Sequence, residues 1–231
     1  MVVVSGRNQP ALDAVVAEIH EAGGQAFARA ADVRDAEAIG ALFEDVTNRY
    51  DDVDVLVTCA VKSRVAGFLE LTDEDWLTHY ETKVMGAVRC IRQAIPGMRR
   101  KGWGRIVNLA GTTARTCARG RMTNGMTNAA ITNVSKHLAE EFAEAGILVN
   151  TVHPGYTDTP RLDMIVDRTA AREGLDLEHA RDLLLNAVPT RRFTQPNEIA
   201  ELVAFLCSEL NQSITGQVLA VDGGLATAVT Y

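Results

Sequence analysis

Short runs that are apolar on both faces alternate along this chain with longer stretches whose apolar residues recur every three or four positions. The first pattern reads as buried parallel strands and the second as amphipathic helices. Residues 1–5 form a β-branched apolar run that Gly6-Arg7-Asn8 breaks. Asn8 suits a helix cap and Pro10 its first turn; Leu12, Val15, Val16 and Ile19 give the inward stripe, which Gly23-Gly24 ends. A short strand over 25–30 leads to Asp32-Val33, and Asp35 caps a helix carrying Ile39, Leu42, Phe43 and Val46. The pattern then predicts a strand over 53–60, one or two helices over 73–98 with Pro96 near the end, a strand over 104–110 and a helix over 124–145. A strand over 147–152 follows. Residues 158–192 read as irregular and polar with one helical segment near 177–185, before a helix over 196–209 and a last strand over 217–221. This alternation predicts an α/β protein with one doubly wound parallel sheet covered on both sides. The whole of 1–231 reads as one domain, without repeats or a linker, and 158–192 as a substrate lid within it.

Composition narrows this picture. A chain of 231 residues fits a single core. Its net charge of −7 argues against a nucleic-acid partner, which needs a basic patch. No apolar stretch reaches the length of a membrane span, and no charged leader is visible, so no membrane is expected. Cys59, Cys90, Cys117 and Cys207 are scattered without a C-x-x-C pair. They read as plain thiols of a reducing compartment, which places the protein in the cytoplasm, and no metal site is expected.

Chemistry concentrates at 104–136, where an apolar strand ends in small residues opposite the start of a long helix. An α/β sheet places its ligands at such a point. Gly104-Arg105-Ile106-Val107-Asn108 and Val149-Asn150, Pro154-Gly155 with Thr159-Pro160, and the ending from Ile214-Thr215-Gly216-Gln217 to Val221-Asp222-Gly223-Gly224 occur in a characteristic order. Together with Asp32-Val33, the run Val55 to Ala60, and Lys83-Val84-Met85-Gly86, they resemble the short-chain dehydrogenase/reductase family over nearly the whole chain. The resemblance implies a Rossmann-like fold and a nicotinamide-linked oxidoreductase acting on a small alcohol or carbonyl. It also implies a homodimer or homotetramer, or a hetero-oligomer with an active homologue, paired through the helices over 73–98 and 124–145. Val84, Val88 and Ile91 give the first of these an apolar stripe, which plain core packing would equally explain.

Two departures qualify the resemblance. The family begins with a strand and a Gly-x-x-x-Gly-x-Gly turn, a pattern found nowhere in this chain. That strand belongs in the middle of the sheet, so a gap with unpaired ladder groups is expected there. On this reading the sequence is a shortened version of a longer gene product, or a partner repairs the gap. The second departure is chemical. By resemblance the catalytic Ser, Tyr, Lys and Asn fall on Gly111, Asn124, Asn128 and Lys83. The i, i+4 spacing of the Tyr and Lys positions is kept, yet neither asparagine can titrate. Thr112 and Thr113 adjoin the lost Ser, either as hydrogen-bond donors to a substrate or as loop residues. Tyr156 is a surrogate acid or a pocket wall, His153 a packed strand end. Lys83 is a cation in place of an amide, or a lysine snorkelling from a partly exposed helix, and Lys136 points elsewhere.

For a cofactor, the resemblance assigns Asp32, Val33, Ala60, Pro154, Gly155 and Thr159. Arg7, at a strand tip without an acidic residue, suits a 2′-phosphate and so favours NADP over NAD. If the sequence is complete, no cofactor is the other expectation. Two functions stand side by side: an NADP-linked oxidoreductase of a small molecule, or a redox-silent subunit or cofactor-independent cyclase or isomerase.

Overall fold

In the computed structural model, which describes residues 1–227, every strand pair is parallel, but the strands form two sheets rather than one. Strands β1 (Val2–Gly6) and β2 (Ala26–Ala30) pair with each other. The larger sheet takes β3 (Val55–Thr58), β4 (Gly104–Leu109), β5 (Ile147–Pro154) and β6 (Val218–Val221), in that order. The helices are α1 (Gln9–Glu21), α2 (Ala36–Arg49), α3 (Asp73–Tyr80), α4 (Gly86–Lys101), α5 (Met122–Phe142), α6 (Pro160–Glu173), α7 (Leu177–Asn186) and α8 (Pro196–Cys207).

Local chemistry explains the helix starts. Asn8 Oδ1 accepts from the Ala11 N–H at 3.2 Å, and Asp35 Oδ1 from Glu37 and Ala38 at 2.9 and 3.0 Å, as expected of caps. Pro96 lies inside α4 without ending it; the helix runs on to Lys101 and stops at Gly102, whose φ of 65° suits a residue without a side chain. Ile106, Val107, Ile147, Val149 and Val152 on β4 and β5 have no exposed surface, the signature of central parallel strands.

The sequence reading needs correction in two places. Residues 158–192 are two helices, α6 and α7, packed through Leu162, Val166, Ala170, Ala180 and Leu184. Val84, just before α4, and Ile91 on it are 3% and 2% exposed and belong to the core, so their stripe is not a free pairing face. In addition α5 begins at Met122, which puts Asn124 in its first turn.

The expected gap is present between β1 and β3. In a strand, one residue's N–H and C=O leave on the same edge and the next residue's on the other. The Val2 N–H donates to Gln25 O and the Ala31 N–H to Gly6 O, so Val3 and Ser5 face away from β2. The Arg105 N–H donates to Asp54 O, so Val55 and Val57 face away from β4. All four look into a cavity of about 1130 Å³. Its other walls are Ile39, Leu42 and Phe43 of α2, Ala87 and Cys90 of α4, and Ala200, Val203 and Cys207 of α8. Thus the opening passes between the two sheets from one helical layer to the other.

Candidate active site

The tips of β4 and β5, the first turns of α5 and the turn between α3 and α4 meet at the C-terminal end of the larger sheet. The tip of β4 is fixed by Asn108, whose Oδ1 accepts from Thr58 Oγ1 on β3 at 2.5 Å and whose Nδ2 donates to Ser135 Oγ on α5 at 2.8 Å. Just beyond it stand the positions singled out from sequence. Gly111, Asn128 and Thr113 interlock: Asn128 Nδ2 donates to Thr113 Oγ1 at 2.8 Å, and a Cβ on Gly111 would lie 2.8 Å from the same nitrogen. The amide of Asn128 fills the space a side chain at 111 would take. Thr113 therefore holds Asn128, and Thr112 accepts from Thr116 through its carbonyl, the loop roles open to both.

Asn124 lies one helical turn before Asn128, and its Nδ2 donates to Ser63 Oγ at 3.3 Å. The side-chain Oδ1 atoms of both asparagines are buried without a hydrogen-bond partner among the described residues. Lys83 sits on a wide π-helical turn, Glu81–Met85, a local distortion common at functional sites. Its Nζ donates to Ala110 O at 3.3 Å, and the residue is only 9% exposed, so it is not a snorkelling surface lysine. Burial pushes its pKa down to about 8, opposed by Cys59, with a smaller lowering contribution from the charge of Arg161.

Two histidines flank the site and both are kept neutral. His79 is fully buried between Thr123 Oγ1, 3.0 Å from Nδ1, and Thr127 Oγ1, 3.2 Å from Nε2. Because the Thr127 hydroxyl donates to Thr123 O at 2.9 Å, the ring proton is assigned to Nε2. His153 meets Thr132 Oγ1 at 3.1 Å and is a packed strand-end residue. Burial, assisted by Lys83 in both cases, lowers each pKa to about 4. Tyr156 meets Phe193 edge-on at 6.4 Å and packs with the α6–α7 cluster, the position of a pocket wall. Lys136 lies against Gly216, outside this group.

The residues assigned to a cofactor are spread along the same end of the fold. Arg7 is exposed at the tip of β1 and lines the cavity together with Ala60 and Lys83. Arg34 clasps Asp32 through Nε and Nη2; this hydrogen bonding is the main cause that holds the Asp32 pKa near 2, with Arg7 adding a smaller charge effect. Val33 packs against Gly86. Past Pro154, a Cβ on Gly155 would lie 2.7 Å from Asp222 Cα, so only glycine allows this approach of β5 to the end of β6. Thr159 stands just before α6, and its hydroxyl donates to Thr157 O at 3.3 Å rather than capping the helix.

Sequence reasoning passed over Ser63, His79, Arg121 and Arg161. Arg161 Nη2 and Asn124 Nδ2 both donate to Ser63 Oγ, each at 3.3 Å. Arg121 stands at the N-terminus of α5, and burial lowers its pKa, opposed by Tyr156, with smaller lowering contributions from Arg161 and Arg168. No spacing rule joins a loop residue with residues of α3, the start of α5 and α6, so the sequence carried no signal for them.

The fold is that of a Rossmann-like α/β protein with parallel sheets. The comparisons identify the family more closely. Residues 1–226 match the family model described as enoyl-(acyl carrier protein) reductase, and the chain belongs to this branch of the short-chain dehydrogenase/reductases. It is 32% identical over 213 residues to the 3-oxoacyl-(acyl-carrier-protein) reductase FabG of Staphylococcus aureus, covering 92% of this chain and 82% of that protein. Among solved structures it is similar to a single-residue variant of the actinorhodin polyketide ketoreductase with NADPH, with a TM-score of 0.94 and 35% identity over 98% of this chain and 87% of that one. The L-sorbose reductase of Gluconobacter frateurii, complexed with NADPH and L-sorbose, gives 0.91 and 30% over 98% and 87%.

Proposed function

We propose that the chain is an NADP(H)-linked oxidoreductase of a small carbonyl or alcohol in which Lys83 is the proton donor. The buried ammonium carries this reading. It is placed at the tip of β4, lines the cleft, and has a pKa near 8, close to where general acid–base groups work best. Asn124 and Asn128 cannot take that part, because an amide does not ionise. The NADPH-bound neighbours support the choice of cofactor, and so does Arg7, an exposed cation at a strand tip that forms no salt bridge among the described residues. The residues present fit the two ends of such a molecule: Arg7 its 2′-phosphate, and the Pro154-Gly155 turn with Thr159 its nicotinamide. When bound, the nicotinamide supplies or accepts hydride. Lys83 then holds a proton beside the substrate oxygen and releases it as negative charge develops there, while Ala110 O keeps the ammonium in place. General acid help of this kind is worth roughly 10²–10⁴-fold.

A second reading, a redox-silent relative or a cofactor-independent cyclase or isomerase, is favoured by the interlock of Gly111, Asn128 and Thr113, which closes the usual catalytic position with packed side chains. NADPH-dependent reduction of a panel of small ketones separates the two. Turnover that Lys83→Met lowers by about 10²-fold supports the oxidoreductase; no turnover, or turnover indifferent to Lys83→Met, removes it. Association of copies, or pairing with an active homologue, and a cytoplasmic setting belong to the same proposal. No helix among the described residues is long and apolar enough to cross a membrane.

A further inference from the structure

We infer that Lys83 is a covalent nucleophile, which condenses through Nζ with the ketone of a small β-keto acid and lets that acid lose its carboxylate as carbon dioxide. The inference shares with the reading above only the cleft as a site for carbonyl compounds, and it involves no cofactor. The chain has four lysines. Lys62, Lys101 and Lys136 are exposed, and Lys101 Nζ lies 3.3 and 2.7 Å from the carboxylates of Asp51 and Asp54. Lys83 alone is buried, and it lines the cavity. Its Nζ donates to Ala110 O, a neutral carbonyl, and no carboxylate pairs with it among the described residues. A desolvated ammonium without a counter-ion gives up its proton readily, and the free amine is the nucleophile of imine chemistry. Burial lowers the Lys83 pKa to about 8, opposed by Cys59, with a smaller push from Arg161.

The groups around the amine decide what an imine can do there. Isomerisation or aldol cleavage through an imine needs a base to move a proton. The carboxylates lining the cavity are those of Asp51, Asp52 and Asp54, which precede β3, whereas Lys83 interacts with Cys59, which follows it. The four residues of β3 set these two ends about 13 Å apart. His79 and His153 do not line the cavity, and both already meet threonine hydroxyls. Loss of carbon dioxide needs no base. Arg7 and Lys83 are the two cations on the cavity wall, which suits a carbonyl compound bearing a carboxylate. The amine adds to the ketone carbon and water leaves, giving a protonated imine. The bond from the carboxylate to its neighbouring carbon then breaks and carbon dioxide departs. The bonding pair flows through the imine carbon to nitrogen, leaving an enamine. Its carbon takes a proton from water, and hydrolysis of the restored imine returns a ketone and the free amine.

Acetoacetate serves as the probe, with the full chain and no nicotinamide cofactor. Sodium borohydride reduces the imine, and peptide mass spectrometry locates the adduct. An isopropyl group on Lys83, the mark of an imine that has already lost carbon dioxide, is expected at least about tenfold over Lys62, Lys101 and Lys136. Carbon dioxide should also leave acetoacetate faster than in buffer, and the excess should vanish in both Lys83→Met and Lys83→Arg. The arginine variant keeps the charge without a nucleophilic amine, so excess release that survives in it overturns the inference; circular dichroism confirms that both variants are folded. An adduct spread evenly over the four lysines, an adduct on Lys83 that keeps its carboxylate without excess release, or no adduct at all overturns it too. Neither assay contains NADPH, so failure here leaves the oxidoreductase reading standing. Loss of that reading in its own assay likewise leaves this inference standing.

Discussion

Lys83 costs the folded protein stability so long as it stays charged, since its pKa falls from 10.5 to about 8 on burial. The unfolded chain binds more protons between those two values, so stability rises with pH from about 8 to 10.5. Lys83→Met should therefore stabilise the protein at pH 7, by about 3 kcal/mol if the whole shift is recovered, and its advantage should shrink above pH 8. Urea unfolding of both proteins at pH 7 and pH 10 checks this. The histidines act at the other end of the scale. With native pKa values near 4 against 6.5, His79 and His153 lend stability above pH 6.5 that is lost as pH falls towards 4. His79→Gln should flatten the loss measured between pH 7 and pH 5. Gly111 and Asn128 should behave as one unit: Gly111→Ser alone pushes on Asn128 Nδ2, and Asn128→Ala should relieve most of that cost, a coupling of about 0.5–3 kcal/mol in a double-mutant cycle. Of these residues the sequence exposed the substitutions, because they sit in an otherwise regular motif. It did not show that Lys83 turns inward, since burial of a lysine depends on what packs over it.

At the scale of elements, strands and capped helices were legible because their cues are local. The apolar runs of β4 and β5 and the caps at Asn8 and Asp35 stand where sequence places them. Helix α7 stands where the sequence predicts a helical segment, but α6 was missed for a physical reason. Its buried stripe, Leu162, Val166, Thr169 and Ala170, is at helical spacing but thin, and exposed charged residues surround it. Its stability comes from the partner helix and from Phe193, which local pattern does not reveal. Leu162 is 1% exposed, and Leu162→Ala should cost about 2–5 kcal/mol in urea unfolding.

At the scale of the whole molecule the gap between β1 and β3 decides most. Family resemblance and the ladder argument gave its place, but only the structure shows its size and the helices α2, α4 and α8 around it. The amides of Val3, Ser5, Val55 and Val57 face this opening, so native-state hydrogen exchange should be fast there and slow at Ile106, Val107 and Val149 in the closed part of the sheet. A nicotinamide dinucleotide would span the gap from Arg7 to the Pro154-Gly155 turn. The most direct measurement is therefore a titration of the purified chain with NADPH and NADH, followed by nicotinamide fluorescence and melting temperature. Saturable binding is expected, tighter for NADPH than for NADH, with the preference lost in Arg7→Ala. No change in either signal at millimolar NADPH would contradict the assignment of this cleft to a nicotinamide cofactor.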